Sequence, residues 1–80
     1  MAAFDVTGAM DFVGRTVLVE FGFPDDPDPI WACFRVAGVV FAQEGYCQDP
    51  HFLVYRAFAP ERHPNELFWS DIRTLVPLNR

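Results

Sequence analysis

The chain has 80 residues and a net charge of −5, with six Arg, no Lys and eleven acidic residues. Its length fits one domain, read as residues 1–80 with a cover segment at 1–13 and a β-rich body at 14–78. A hydrophobic content of 51% with nine Phe and two Trp argues for a dense core and against disorder, despite seven Pro. An acidic chain repels the nucleic-acid backbone, so direct DNA or RNA binding is not expected.

The longest apolar runs fall well short of the roughly 20 residues a membrane span needs. The start, Met1-Ala2-Ala3-Phe4-Asp5, lacks a basic stretch followed by an apolar one. A cytoplasmic location without membrane contact is therefore expected. In a reducing compartment, Cys33 and Cys47 are expected to be unbridged.

In chain order, residues 1–13 fit neither the helical nor the strand period. Asp5 or Thr7 is placed to cap a short helical turn over Ala9–Phe12, lying across one end of the core. Gly14 punctuates. Arg15–Phe23 alternates, with Val17, Val19, Phe21 and Phe23 on one face, which reads as a strand. Pro24-Asp25-Asp26-Pro27-Asp28-Pro29 then breaks it. Three prolines cannot feed a ladder, and aspartates favour turns, so this stretch is a hairpin loop.

Ile30–Val36 alternates again: Ile30, Ala32, Phe34 and Val36 face one way, Trp31, Cys33 and Arg35 the other. The apolar run continues to Ala42, and Gly38 inside it marks a bulge or bend. Gln43–Pro50 is a turn, with Gly45 available for a positive φ. Phe52–Ala59 is the next strand and Pro60–Asn65 the next turn. Leu67–Trp69 is a short strand, followed by a 3₁₀ turn capped by Ser70 or Asp71. Ile72–Val76 is the last strand, stopped by Pro77.

About five closely spaced strands in so short a chain predict a mainly β fold: a small five-stranded antiparallel barrel or strongly twisted sheet. The alternative is α+β, with residues 5–12 a packed helix. The strand order, and above all Leu67-Phe68-Trp69-Ser70-Asp71-Ile72-Arg73-Thr74-Leu75-Val76, resembles SH3-like and Tudor-like barrels. These barrels end in a short strand, a 3₁₀ turn and a last strand. The Ala-Leu-Tyr-Asp-Tyr run of peptide-binding SH3 domains is absent, so a proline-rich ligand is not implied.

No cofactor or metal site is expected. Cys33, Cys47, His51 and His63 are zinc-ligand types without zinc-ligand spacing, and the histidines read as surface residues. The Asp25–Asp28 loop lacks an EF-hand pattern. Catalysis is not expected: Ser70 has no nucleophile elbow, Cys47 with His51 has no cleft, and no Gly-rich phosphate loop is present.

What remains is a charged surface. Asp25, Asp26 and Asp28, with Glu20, Glu44 and Asp49, are expected to form one negative face, with Trp31 as an exposed anchor at its margin. The bland alternative is a solvated loop. A compact, acidic, aromatic-rich chain without an enzyme motif is similar in size and charge to the anti-CRISPR proteins of phages and mobile elements. That resemblance implies a non-enzymatic inhibitor that mimics DNA. Its partner would be a protein with a basic surface, such as a subunit of a CRISPR surveillance complex, and the inhibitor itself a monomer or weak dimer. The competing expectation is an accessory module of a bacterial assembly.

Overall fold

The computed structural model describes residues 4–23, 25–43, 45, 49–59 and 62–78, and of Val6 the backbone alone. It is mainly β. The strands are β1 (Thr16–Phe21), β2 (Ile30–Val40), β3 (His51–Arg56), β4 (Asn65–Phe68) and β5 (Ile72–Pro77), with a helix α1 (Val6–Met10) before them. They form one sheet in the order β4-β3-β2-β1-β5, with every neighbouring pair antiparallel. A 3₁₀ turn, Trp69–Asp71, joins β4 to β5.

The period-two reading of the inner face holds. Val17 and Val19 of β1, Phe34 and Val36 of β2, and Phe52 and Val54 of β3 are all buried. Each such side chain contributes roughly 1.5–3 kcal/mol by leaving water. β2 changes phase within its length. Val36 pairs with Val54, and Gly38 pairs with Leu53, so Ala37 is an extra residue. Beyond this bulge the odd positions turn inward, and Val39 and Phe41 pack on the core. A second shift, between Glu20 and Phe21 on β1, makes Arg73 the extra residue of β5.

α1 has five residues, too few to be stable alone, so packing holds it. Ala9 is fully buried. The helix begins earlier than the expected Ala9–Phe12 because the Asp5 carboxylate accepts from the Gly8 N–H at 2.6 Å. A Cβ on Gly8 would stand 2.9 Å from that same oxygen, so a larger residue there would push the Asp5 carboxylate back slightly.

Several boundaries differ from expectation: β1 is Thr16–Phe21 and not Arg15–Phe23, and β3 ends at Arg56, ahead of Ala59. β3 starts at His51, ahead of Phe52, and β4 starts at Asn65. Trp69 belongs to the 3₁₀ turn, whose N-cap is Phe68 without any side-chain cap. Pro77 does not stop β5 but ends inside it. Leu78 N–H donates to Thr16 O, so by alternation the nitrogen of Pro77 faces the open edge, where no donor is needed.

One end of the fold is plugged by rings. Phe4 lies 5.3 Å from Phe52 and 5.2 Å from Trp69, and Phe52 lies 5.5 Å from Trp69, between ring centroids. Phe12 packs on Phe52 and Phe41 on Trp69, both edge-on. The segment before β1 therefore does lie across one end of the core. Trp69 Nε1 is buried and has no hydrogen-bond partner among the described residues.

Two stability tests follow. Trp69→Ala is expected to cost about 3–5 kcal/mol by cavity formation. Trp69→Phe is expected to cost about 1 kcal/mol or less, because it also removes an orphaned donor whose burial costs about 1–3 kcal/mol. Urea denaturation of both variants measures this contrast, and equal losses would contradict it. Asp5→Ala is expected to lower stability by about 1 kcal/mol through the lost cap, read by the same denaturation.

Candidate functional site

The 22–29 hairpin loop joins β1 to β2, and Phe21 and Ile30 pair at its base. Its turns are fixed by backbone chemistry. Asp26 N–H donates to Phe23 O at 3.1 Å, and Asp28 N–H donates to the Asp26 carboxylate at 3.0 Å. Asp25, Asp26 and Asp28 are all exposed. Three carboxylates thus sit on a turn-locked tip, as a proline-rich acidic loop between two strands leads one to expect.

Glu20 and Trp31 are brought together on the outer face. They are direct cross-strand partners on β1 and β2. Trp31 is exposed, as its strand phase requires. Glu20 is half-buried, and its Oε1 accepts from Thr74 Oγ1 at 2.8 Å, which anchors it to β5.

Asp49 belongs to the other hairpin, beyond the far end of β2, and Glu44 lies outside the described residues. The 3₁₀ turn links the two hairpins. Its first N–H, from Trp69, donates to Pro50 O at 3.2 Å, and its last carbonyl, of Asp71, accepts from Gly22 N–H at 3.0 Å. The three residues between span about 6 Å at the 3₁₀ rise. The base of the Asp49 loop and the base of the acidic hairpin are therefore held on either side of one short turn.

Arg73 closes over the same point. A Cβ on Gly22 would lie 3.0–3.3 Å from the Arg73 guanidinium, so glycine lets the cation lie flat against the loop base. One arginine thus sits at the root of the acidic hairpin.

His51 corrects the surface reading of the histidines. It is the buried polar side chain of the core, 5% exposed, whereas His63 is exposed. Its Nδ1 lies 3.0 Å from Asp49 O, and its Nε2 lies 3.4 Å from Glu66 Oε2 of β4, a contact that is an ion pair only when the ring is protonated. Phe68 packs against the ring at 5.1 Å. Cys33 is a free thiol, and Cys47 lies outside the described residues. Among the described residues no group of three or more His, Cys, Asp or Glu could hold a metal ion. Among the described residues, no helix is long and apolar enough to cross a membrane.

At the end of the inner face carrying the acidic hairpin, the sheet leaves an open groove of about 610 Å³, of which the sequence carried no sign. Phe21, Phe23, Ile30 and Phe34 line one side, and Val54, Phe58 and Leu67 the other. Several of these are unusually exposed for their type: Phe58 is 88%, Phe23 49% and Ile30 42% accessible. Phe23 and Ile30 flank the acidic tip, so the groove and the three aspartates are adjacent by chain connection. Arg56 and Glu66 supply charge at the groove's opposite wall.

The inward phase of Phe23 and Ile30 was legible in the alternation. Their exposure was not, because period two reports which face a residue takes and not whether anything covers that end of the face.

Comparison with known proteins finds no matching family model, no similar curated protein and no similar solved structure.

Proposed function

We propose that the protein acts by binding another protein, without catalysis, and that the acidic hairpin is its principal contact with a basic partner surface. The observation that carries this is the set of three exposed aspartates on a tip whose turns are fixed by hydrogen bonds. A pre-ordered loop loses little entropy on association, and its charges steer a basic partner.

In its most specific form this is an inhibitor of the anti-CRISPR type, which mimics DNA and occupies the nucleic-acid-binding site of a defence complex. The same carboxylates support that form, because Arg and Lys side chains that hold phosphates also pair with carboxylates. The strand order β4-β3-β2-β1-β5 with a 3₁₀ turn before the last strand supports the SH3-like reading of the scaffold.

The competing reading is an accessory module that receives a partner strand along a sheet edge. Pro77 counts against it at β5, since its outward position there offers no N–H to an incoming chain.

The triple change Asp25→Asn, Asp26→Asn, Asp28→Asn tests the proposal. Asn keeps the turn chemistry while removing three charges. Exposed loop charges contribute little to stability, so the melting temperature is expected to move by only about 2 °C. Capture of the partner from a host lysate, followed by titration at physiological salt, is expected to show at least a tenfold loss of affinity. The loss should shrink at high salt, as the screening length falls from about 10 Å at 0.1 M to about 3 Å at 1 M. Unchanged binding by the triple variant would reduce the loop to a solubilising surface.

A further inference from the structure

The groove beside the acidic hairpin has no role in that proposal. We infer that it seats a large apolar side chain of a cationic polypeptide segment, one that carries Lys or Arg on the side meeting Asp25, Asp26 and Asp28. The inference rests on the protein-binding reading and names the chemistry of the partner.

The apolar half of the argument is exposure. Phe58 is 88% accessible on the β3–β4 connection, and Phe23 and Ile30 are about half accessible at the ends of the paired strands. An aromatic-lined concavity of about 610 Å³ has room for one or two large side chains. Its walls rest on firm ground. Phe21 packs against Phe34 at 5.9 Å and against Phe23 at 6.1 Å, and Val54 and Leu67 beneath are buried. The groove is therefore formed before any partner arrives.

The charge half selects among occupants. The acidic tip is the direct chain connection between Phe23 and Ile30, so whatever enters the groove from that side passes Asp25, Asp26 and Asp28. A second copy of this chain brings its own acidic tip and a net charge of −5 to the same place, and like charges so placed oppose association. An anionic lipid surface is repelled for the same reason. A neutral apolar segment gains burial but leaves the carboxylates unused. A segment that joins an aromatic or aliphatic anchor to a flanking Lys or Arg satisfies both features, and the anchor in the groove would be its hot spot.

The experiment is peptide display. A random twelve-residue library is selected on the immobilised full-length protein. The most enriched peptides are then synthesised and titrated by fluorescence anisotropy against the parent, Phe58→Ser and the Asp25→Asn, Asp26→Asn, Asp28→Asn triple. Phe58 is so exposed that Phe58→Ser is expected to leave the melting temperature within a few degrees. Ile30→Thr, which keeps β-branching, serves as a second groove variant. The expected result is enrichment of peptides with a large apolar residue flanked by Lys or Arg, and at least a tenfold loss of affinity in both the groove variants and the triple.

Loss in the triple alone overturns the groove inference and leaves the acidic-hairpin proposal standing. Enrichment of apolar peptides without basic residues, or loss in the groove variants alone, overturns the charge assignment. No enrichment above unselected peptides overturns the inference. A concentration-dependent dimer, seen by sedimentation and abolished by Phe58→Ser, overturns it in favour of a second copy.

Discussion

One extra residue in β2 governs the shape of this molecule. Without Ala37, an eleven-residue strand about 36 Å long would present a single set of side chains to a single face. The bulge reverses the phase, so Phe34 and Val36 serve the groove end of the core while Val39 and Phe41 serve the plugged end. A Cβ at Gly38 beside it would make an ordinary 3.7–3.9 Å contact with the Leu53 side chain, so the bulge does not depend on glycine there. Both ends of the fold are therefore built on one strand, and they are finished differently. One end is filled by Phe4, Phe12, Phe41, Phe52 and Trp69 with α1 laid over it. The other has no covering element among the described residues and remains an aromatic groove.

The 3₁₀ turn holds these ends in relation to each other. Trp69 belongs to the plug, and two residues later Asp71 accepts from Gly22 at the root of the acidic hairpin. Burying Trp69 thus positions the loop proposed to do the binding. The orphaned indole donor is a local cost of that arrangement, outweighed by the ring contacts around it. His51 sits at the equivalent point of the second hairpin, buried between Asp49 O and the Glu66 carboxylate of β4.

Much of this was legible in the residues. Alternation in Val17–Phe23 and Ile30–Val36 fixed the inward face, Gly38 located the bend, and the run through Asp28 located the hairpin. The closing strand, 3₁₀ turn and strand could be read from the Leu67–Val76 stretch. The plug could be placed only in part, because Phe4 and Phe12 share no period and their role depends on Trp69 across the chain. His51 read as a surface residue because a histidine at the junction of a turn and a strand carries no local sign of burial; Glu66 and Phe68, which meet its ring, come from β4. The groove was hidden for the opposite reason. Phe23 and Ile30 shared the phase of core residues, and only the three-dimensional end of the sheet leaves them, with Phe58, uncovered.

The central claim is that the two aromatic clusters of this fold, one toward each end of β2, have opposite fates, one sealed and one open. Solvent paramagnetic relaxation of the aromatic ring protons, using a soluble nitroxide probe and assigned Phe and Trp resonances, tests it directly. On this account Phe58, Phe23 and Trp31 relax strongly while Phe52 and Trp69 are protected. Protection of Phe23 and Phe58 equal to that of Phe52 would mean that the groove is closed in solution, and the account would fail.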